Sequence, residues 1–264
     1  MIVFPNAKIN LGLHIKGRRA DGYHELETAF YPIPVCDALE MVPGKETRMH
    51  SSGLEVEGEN LCMKAYGILA REFSLPALDM YLHKVIPMGA GLGGGSADAA
   101  FFLRGINEWA GLGLSESRLY SYARKLGADC VFFLENRPML ARGIGDELSP
   151  LEMDLHDFRI QVIYPGISIS TARAYSQVQV KTPETSLIEV LKLPVRAWKG
   201  RLINDFEKSV FEAFPQLEEI KERLYAGGAV YAAMSGSGSA LFGIFEKDKV
   251  LPQWGHPAFT VFNF

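Results

Sequence analysis

The sequence predicts a mixed fold of helices and strands, and three observations support that prediction. Residues 8–15 alternate strictly between apolar and polar side chains, which is typical of a half-buried strand. Residues 99–110 carry apolar side chains at the spacing of an amphipathic helix. The pattern resets at the Tyr-Pro-Gly turn of residues 164–166, which marks the rough start of a second domain. A length of 264 residues fits one large domain or two small ones.

Further elements follow in chain order. Residues 17–23 hold an Asp-Gly turn signal, so a loop presents Tyr23 and His24. Residues 60–73 have helical apolar spacing, and a strand-like run at 80–86 enters a glycine cluster. The helix that begins near Ser96 ends at Gly111. Helices are also predicted near residues 115–126, 185–191, 204–211 and 216–226, followed by a strand, a glycine turn and a strand over 229–245.

Composition and charge exclude several classes of protein. With 48% hydrophobic and 22% charged residues, the chain is an ordinary globular protein. The net charge of −4 leaves no broad basic surface for a nucleic acid, so we expect no such partner. The three cysteines form no C-x-x-C pair, which favours a reducing cytoplasm. Neither a signal-peptide pattern nor an apolar run of roughly 20 residues is present, so we expect no membrane association.

A glycine cluster is the strongest functional signal. Residues 87–98 lie between a predicted strand and a predicted helix, and five of the seven residues from Gly89 to Gly95 are glycine. Such a loop lets backbone N–H groups approach a ligand and delivers it to the positive end of a helix. The alternative is a flexible connector, but glycines cost stability where the conformation does not need them. Phosphate binding is therefore the favoured interpretation.

Common phosphate-loop classes do not fit this cluster. Gly89, Gly91 and Gly94 satisfy the dinucleotide fingerprint, but Glu108 lies inside the next helix instead of ending a second strand. A Walker loop needs a lysine where Gly95 stands. The H-R-D and D-F-G signatures of protein kinases are absent from the sequence.

Three motifs in order resemble the GHMP kinases: a lysine-bearing N-terminal strand, the glycine loop and a Ser-Gly-Ser-Gly turn at residues 235–238. The similarity extends over nearly the whole chain. Further matching motifs are PNAKINL at 5–11, RADGYH at 19–24, LGAD at 126–129, ARGIG at 141–145, YPGIS at 164–168 and NDFE at 204–207. Departures from the commoner pattern are Cys130, Tyr175 where phenylalanine is usual, and a short tail after Phe245.

The resemblance implies a two-domain α+β GHMP kinase fold, with domains at residues 1–157 and 158–264 and the active site in the cleft between them. It also implies ATP and Mg²⁺ as cofactors and a small-molecule acceptor. The narrower motifs imply phosphorylation of the 2-hydroxyl of a methylerythritol carried on cytidine diphosphate, on the non-mevalonate route to isoprenoid precursors.

The resemblance gives Asp129 and Lys8 catalytic roles. Asp129 would accept the hydroxyl proton, although taken alone it fits a helix cap or a buried structural acid. Lys8 would favour the ionised form of that carboxylate and steady the transferred phosphoryl group, although alone it fits an exposed strand lysine. The hydroxyl of Ser96 is a candidate Mg²⁺ ligand.

Ligand contacts are implied in the same way. Tyr23 and His24 would bind cytosine, with Tyr175 on the opposite face and Thr171 nearby. Asn10 would contact the same substrate, and the turn at residues 236–238 would border its phosphates. Adenine is assigned to Asn60, Leu61 and Lys84, and the ATP phosphates to Pro87, Met88, Gly89, Ala90, Gly91, Leu92, Gly93, Gly94, Gly95, Ser96 and Ala97.

Three rival functions are open at this stage. A kinase for another alcohol, such as homoserine or mevalonate, would give Tyr23 and His24 no base to bind. A regulator that kept the fold and lost catalysis would not need both Lys8 and Asp129. A Rossmann oxidoreductase is the most distant alternative, and a fluorescence change on adding NADH would reveal it.

Overall fold

The structure, a computed structural model, describes residues 1–56, 58–178 and 185–264. The chain forms two compact units. The first consists of Met1–Lys8, Pro32–Met88 and Gly93–Arg137, and the second of Ile9–Tyr31, Gly89–Leu92 and Pro138–Phe264. The chain thus contributes three stretches to each unit. The domain boundary placed between residues 157 and 158 stays a prediction.

Helices and strands are both abundant, which confirms the mixed fold. The strands are β1 (Ile2–Val3), β2 (Asn6–Arg18), β3 (His24–Cys36), β4 (Ala38–Pro43), β5 (Arg48–Gly53), β6 (Leu78–Lys84), β7 (Met139–Arg142), β8 (Glu147–Pro150), β9 (Phe158–Tyr164), β10 (Tyr231–Met234), β11 (Leu241–Glu246) and β12 (Thr260–Asn263). The α-helices are α1 (Leu61–Leu69), α2 (Gly94–Trp109), α3 (Glu116–Leu126), α4 (Ala128–Glu135), α5 (Thr171–Gln177), α6 (Leu187–Leu191), α7 (Phe206–Ala213) and α8 (Pro215–Ala226).

The first unit is a four-stranded sheet with helices on one face. Its strand order is β1-β4-β6-β5, and only the β5–β6 pair is parallel among the pairings described. Leu39 and Met41 of β4 lie opposite Leu82 and Met80 of β6, and all four are buried. Helix α2 packs against β1, α1, α3 and α4. The apolar stripe of α2 that the sequence predicts is buried in this core.

The second unit contains two four-stranded sheets. Their strand orders are β2-β3-β7-β8 and β10-β11-β9-β12. One core joins Leu13 and Ile15 of β2 to Phe206 of α7, Ile220 of α8 and Phe245 of β11. The tail after Phe245 returns as β12, which pairs with β9.

Two predictions about these elements are wrong in detail. Strand β2 is not half-buried, because every residue from 7 to 15 is buried, Lys8 and Asn10 included. Lys8 and Asn10 of the polar face are buried together with polar partners, Asp129 for the lysine and Thr28 for the asparagine. Helix α2 begins at Gly94 and not near Ser96, since Gly93 at φ 75° forms the N-cap. The sequence pattern predicts no element at β5, whose backbone pairs with β6 although its side chains are mostly exposed.

Candidate active site

The glycine loop runs from the end of β6 into α2, as predicted. Gly89, Gly91 and Gly93 have φ angles of 63°, 79° and 75°, a region that favours glycine. A Cβ on Gly91 would collide with the Ser235 carbonyl, and one on Gly93 would lie 2.9 Å from the Phe133 ring. The loop leads directly to the N-terminus of the 16-residue helix α2. The N-cap residue is Gly93, so no capping side chain accepts a hydrogen bond from the first N–H groups of this helix. Unsatisfied N–H groups at such a position attract anions.

Lys8 and Asp129 form an ion pair within the first unit. The Lys8 Nζ lies 3.5 Å from the Asp129 Oδ2, and the two side chains are 4% and 34% exposed. Strand β2 carries the lysine, and Asp129 lies in the first turn of α4, after the N-cap Gly127. Burial lowers the pKa of Lys8, and the charge of Asp129 opposes that shift. The structure thus combines a shielded ammonium with a carboxylate that solvent reaches.

Cys130 directly follows Asp129 in the chain, and its thiol interacts with Ser96 of α2. The Ser96 hydroxyl favours the ionised form of the Cys130 thiol and so acts to lower the pKa of that group. Burial raises the pKa of the Cys130 thiol to about 12, with Ser96 opposing the rise, so the sulfur stays a thiol at neutral pH. Ser96 lies in the first turn of α2, and its side chain offers a hydroxyl oxygen, the type of ligand that Mg²⁺ prefers.

The residues predicted to bind cytosine lie in the second unit. His24, the first residue of β3, stacks on Tyr175 with ring centroids 5.0 Å apart and an interplanar angle of 27°. Tyr175 also meets the ring of Phe206 edge-on at 4.8 Å. Tyr23 is 62% exposed. The structure therefore brings His24, and not Tyr23, against the ring that the sequence assigns to the opposite face of the base.

Asn10 and Thr171 belong to hydrogen-bond networks of the same unit. The Asn10 amide donates to the Thr28 Oγ1 at 3.0 Å, and the Asn10 backbone N–H donates to the Ser235 Oγ at 3.2 Å. Thr171 Oγ1 lies 3.3 Å from Ser237 Oγ. The turn that contains Ser235 and Ser237 is therefore linked to both residues.

The three residues assigned to adenine have different surroundings. The Asn60 Oδ1 accepts hydrogen bonds from the N–H groups of Cys62 and Met63, so Asn60 caps α1. The position that a Cβ of Gly95 would take lies 3.9 Å from Leu61 and 3.5 Å from Met88. The Lys84 ammonium is fully buried, so a side-chain contact between Lys84 and a base would require it to leave its partners.

Sequence reasoning missed those partners. Lys84 Nζ donates to Asp37 Oδ2 and, at 2.8 Å, to Asp98 Oδ2, and all three side chains are at most 5% exposed. Asp37 Oδ1 accepts from the N–H groups of Val85 and Ile86. Asp98 offered one signal, because it is an acid within the apolar run of α2. Asn204, Glu207 and Ser235, which are also buried polar residues, were given no role.

Comparisons with known proteins agree with these features. Residues 60–136 match the model for the GHMP kinases N terminal domain, and residues 187–254 match the model for the GHMP kinases C terminal. Among the described residues, no helix is long and apolar enough to cross a membrane.

Curated relatives match along the whole chain. A protein of Bacteroides fragilis named 4-diphosphocytidyl-2-C-methyl-D-erythritol kinase is 51% identical over 100% of this chain and 98% of its own length. A protein of the same name from Parabacteroides distasonis is 50% identical over 94% of this chain and 92% of its own. A crystal structure of 4-(cytidine 5'-diphospho)-2C-methyl-D-erythritol kinase is 35% identical with a TM-score of 0.77, and covers 92% of this chain and 90% of that one.

Proposed function

Because this chain belongs to the GHMP kinase family, we propose that it transfers the γ-phosphoryl group of ATP to a hydroxyl of a small molecule. The acceptor is the 2-hydroxyl of 4-(cytidine 5'-diphospho)-2-C-methyl-D-erythritol, an intermediate of the non-mevalonate route to isoprenoid precursors. Relatives about 50% identical over nearly their full length, which are named for this activity, support the assignment. A solved structure with the same name supports it independently.

The ion pair of Lys8 and Asp129 is the observation that carries the mechanism. The hydroxyl oxygen attacks the γ-phosphorus, the bond from that phosphorus to the β–γ bridging oxygen breaks, and ADP leaves. The Asp129 carboxylate takes the hydroxyl proton, a role that needs the solvent access its 34% exposure gives. Lys8 holds the carboxylate in place and provides positive charge beside the transferred group.

The glycine loop supports a role in binding the ATP phosphates. Its conformation excludes side chains at Gly91 and Gly93, which leaves backbone N–H groups as the donors to phosphate oxygens. Mg²⁺ in kinases is held by one or two oxygen ligands together with phosphate oxygens, and it neutralises their charge. Ser96 offers such an oxygen in the first turn of α2. We assign adenine to Asn60, Leu61 and Lys84, with the last residue contributing its main chain.

Cytosine recognition is assigned to Tyr23, His24 and Tyr175. The stacked rings of His24 and Tyr175 offer an aromatic surface of the kind on which a base stacks. Tyr23 is adjacent and exposed, so its ring is available to a ligand. Cytoplasmic location and the absence of a nucleic-acid partner are part of the proposal. They are supported by the free thiols of the described cysteines and by the net charge of −4.

A coupled ADP-release assay across candidate alcohols tests the substrate assignment. We expect turnover with the cytidyl substrate, and competition by CMP against that substrate but not against ATP. Stacking a base on an aromatic ring contributes about 1 to 3 kcal/mol. Tyr23→Ala should therefore weaken the cytidyl substrate by roughly 5- to 150-fold and leave ATP affinity near wild type. Failure of CMP to bind, or turnover only with homoserine or mevalonate, would reject the cytidyl assignment.

A glycine replacement tests the ATP site separately. In Gly93→Val the side chain would meet the Phe133 ring and oppose the positive φ, so ATP affinity should fall markedly while CMP affinity is retained. Gly113→Val is the matched control, because Gly113 also has positive φ but a Cβ there would meet nothing within 4 Å. Calorimetry on the folded variants measures both affinities. Unchanged ATP affinity in Gly93→Val would remove this loop from the nucleotide site.

A further inference from the structure

The Asn-Asp-Phe-Glu motif at residues 204–207 has no part in the reaction described above. Asn204 is 1% exposed and lies just before α7. Its amide nitrogen donates to the carbonyls of Met234 and Gly236, at 2.8 Å each, and its Oδ1 accepts from the Phe206 N–H at 3.0 Å. The two carbonyls flank Ser235, the first residue of the segment 235–239, which we call the serine-glycine turn. Asn204 therefore holds the base of this turn.

Glu207, three residues after Asn204, also binds Met234, the last residue of β10. Its Oε1 accepts from the Met234 N–H at 2.8 Å, and its Oε2 pairs with Lys221 at 2.6 Å. Burial raises the pKa of Glu207, and the charge of Lys221 opposes that rise. Asn204 and Glu207 together bind both the N–H and the carbonyl of Met234, so β10 ends at a fixed position relative to α7.

The serine-glycine turn in turn holds the first half of the glycine loop. Ser235 Oγ donates to the Gly91 carbonyl at 2.8 Å, and the Ala240 N–H donates to the Ala90 carbonyl at 3.0 Å. The Gly91 Cα is 3.4 Å from the position that a Cβ on Gly236 would take. These contacts join residues of the second unit only.

The other side of the same turn lies next to the residues assigned to the alcohol substrate. Ser237 is 3.3 Å from Thr171, and Ser235 accepts from the backbone of Asn10. One short turn thus contacts groups from both predicted ligand sites. Because catalytic groups lose activity when displaced by about 1 Å, a residue that fixes this turn would affect ligands that it does not touch.

We propose that Asn204 is a positioning residue that sets the glycine loop through the serine-glycine turn, so that ATP affinity depends on its amide. The inference rests on the proposed function only in taking the glycine loop as the ATP site. Its chemistry requires asparagine, since the site presents two carbonyl acceptors and one N–H donor. An ionised aspartate would face both carbonyls with acceptors alone, whereas a protonated one could still donate to one of them.

Asn204→Asp therefore gives a test that a general loss of packing would not reproduce. The ATP dissociation constant of wild type, Asn204→Asp and Ser209→Ala is measured by calorimetry from pH 5.5 to 8.5. At pH 8.5 we expect the Asn204→Asp variant to bind ATP about 10- to 100-fold more weakly than wild type. Because protonation restores one donor, the ratio of the two constants should fall to within about threefold at pH 5.5.

Ser209→Ala is the matched control. Ser209 lies on the same helix and its hydroxyl donates to the Phe206 carbonyl at 3.2 Å, but it does not contact the turn. Its ratio to wild type should stay near one at every pH. Equal ATP affinity of Asn204→Asp and wild type at pH 8.5, or a loss of equal size at every pH, would overturn the proposal.

Ser235→Ala keeps the proposal testable if Asn204→Asp unfolds at high pH. This change leaves the Asn204 contacts in place and removes the hydroxyl that bonds Gly91 and Asn10, so ATP affinity should fall in a variant that still unfolds cooperatively at a somewhat lower melting temperature. Unchanged ATP affinity would again contradict the positioning role. If Gly93→Val also binds ATP normally, the glycine loop is not the ATP site. If Gly93→Val is impaired and the Asn204 and Ser235 variants are not, only the role of Asn204 fails.

Discussion

Two buried lysines of the first unit lie against neighbouring glycines of the loop, yet their surroundings differ. The position of a Cβ on Gly93 is 3.2 Å from Lys8 Cε, and that of a Cβ on Gly94 is 3.2 Å from Lys84 Nζ. The carboxylate beside Lys8 is 34% exposed, whereas the two beside Lys84 are at most 5% exposed. Both regions contain an ion pair, and they differ in the solvent exposure of the carboxylates.

The difference indicates what each lysine does. An accessible carboxylate next to a shielded cation can exchange a proton with a ligand, which fits a reaction. A fully enclosed cluster cannot reach a substrate, and the cost of removing its charges from water is offset only by their mutual contacts. The Lys84 cluster also fixes Asp98 of α2 against β6, so it supports the helix whose N-terminus follows the glycine loop.

The largest expected effect concerns the ion pair of Lys8 and Asp129. Lys8→Ala should lower kcat by about 10²- to 10³-fold, because it removes charge stabilisation beside the transferred group. The Lys8→Ala/Asp129→Asn double variant should be scarcely worse than the poorer single variant, since residues that act as a unit are not additive. Lys16→Ala is the control, because it breaks another ion pair of β2, with Glu27, and should leave kcat within about twofold. Fully additive losses would mean that Lys8 and Asp129 act separately.

Lys84→Met should act on stability. Removing the cation leaves two buried carboxylates without their charge partner, which typically costs about 3 to 5 kcal/mol in the free energy of unfolding. The exposed Lys125→Met should change it by no more than about 0.5 kcal/mol. Urea denaturation measures both. A Lys84→Met protein as stable as wild type would contradict the structural role of this cluster.

The pH dependence of stability gives a smaller test of the same cluster. Burial raises the pKa of Asp98 to about 7; the charge of Lys84 opposes this rise and that of Asp37 adds to it. The charge of Asp98 in turn contributes to the raised pKa of the Cys62 thiol. The unfolded chain ionises this group near its ordinary value of 3.8, so between that pH and 7 the folded state binds more protons. Asp98 therefore lowers the unfolding free energy as pH rises through this window, by at most about 1.4 kcal/mol per unit.

Asp98→Asn should remove that contribution. The unfolding free energy of the variant minus that of wild type should increase from pH 4 to pH 7 and level off above it. Asp248→Asn, at an exposed carboxylate, should run parallel to wild type. A difference for Asp98→Asn that is constant with pH would show that Asp98 does not titrate in this range.

Local patterns predicted the elements that depend on local spacing. The apolar stripe of α2 and the positive φ of the loop glycines follow from residues close together in sequence. Lys8 and Asp129 were paired by resemblance, and the structure places them in contact. Periodicity alone would have left Lys8 on a solvated face, because alternation distinguishes two faces of a strand but does not say what covers each.

The remaining features depend on contacts between distant residues. Asp37 and Asp98 lie 47 and 14 positions from Lys84, and no spacing rule joins them. The stacking of His24 on Tyr175 was missed because the turn before these residues decides whether the ring of Tyr23 or that of His24 meets Tyr175, and the sequence does not define where that turn ends. Asn204 reaches carbonyls about 30 residues away, and only the folded chain shows that both its donors are used.

The proton-accepting role of Asp129 is tested most directly by single-turnover phosphoryl transfer. Enzyme and saturating ATP are mixed rapidly with a smaller amount of the cytidyl substrate, so that the enzyme is in excess over this substrate and binds all of it. Asp129→Asn preserves shape and removes the proton acceptor, so the rate of product formation should fall by about 10²- to 10⁴-fold. ATP affinity and melting temperature should stay near those of wild type. If the Asp129→Asn protein forms product at more than half the wild-type rate in this assay, Asp129 does not accept the proton.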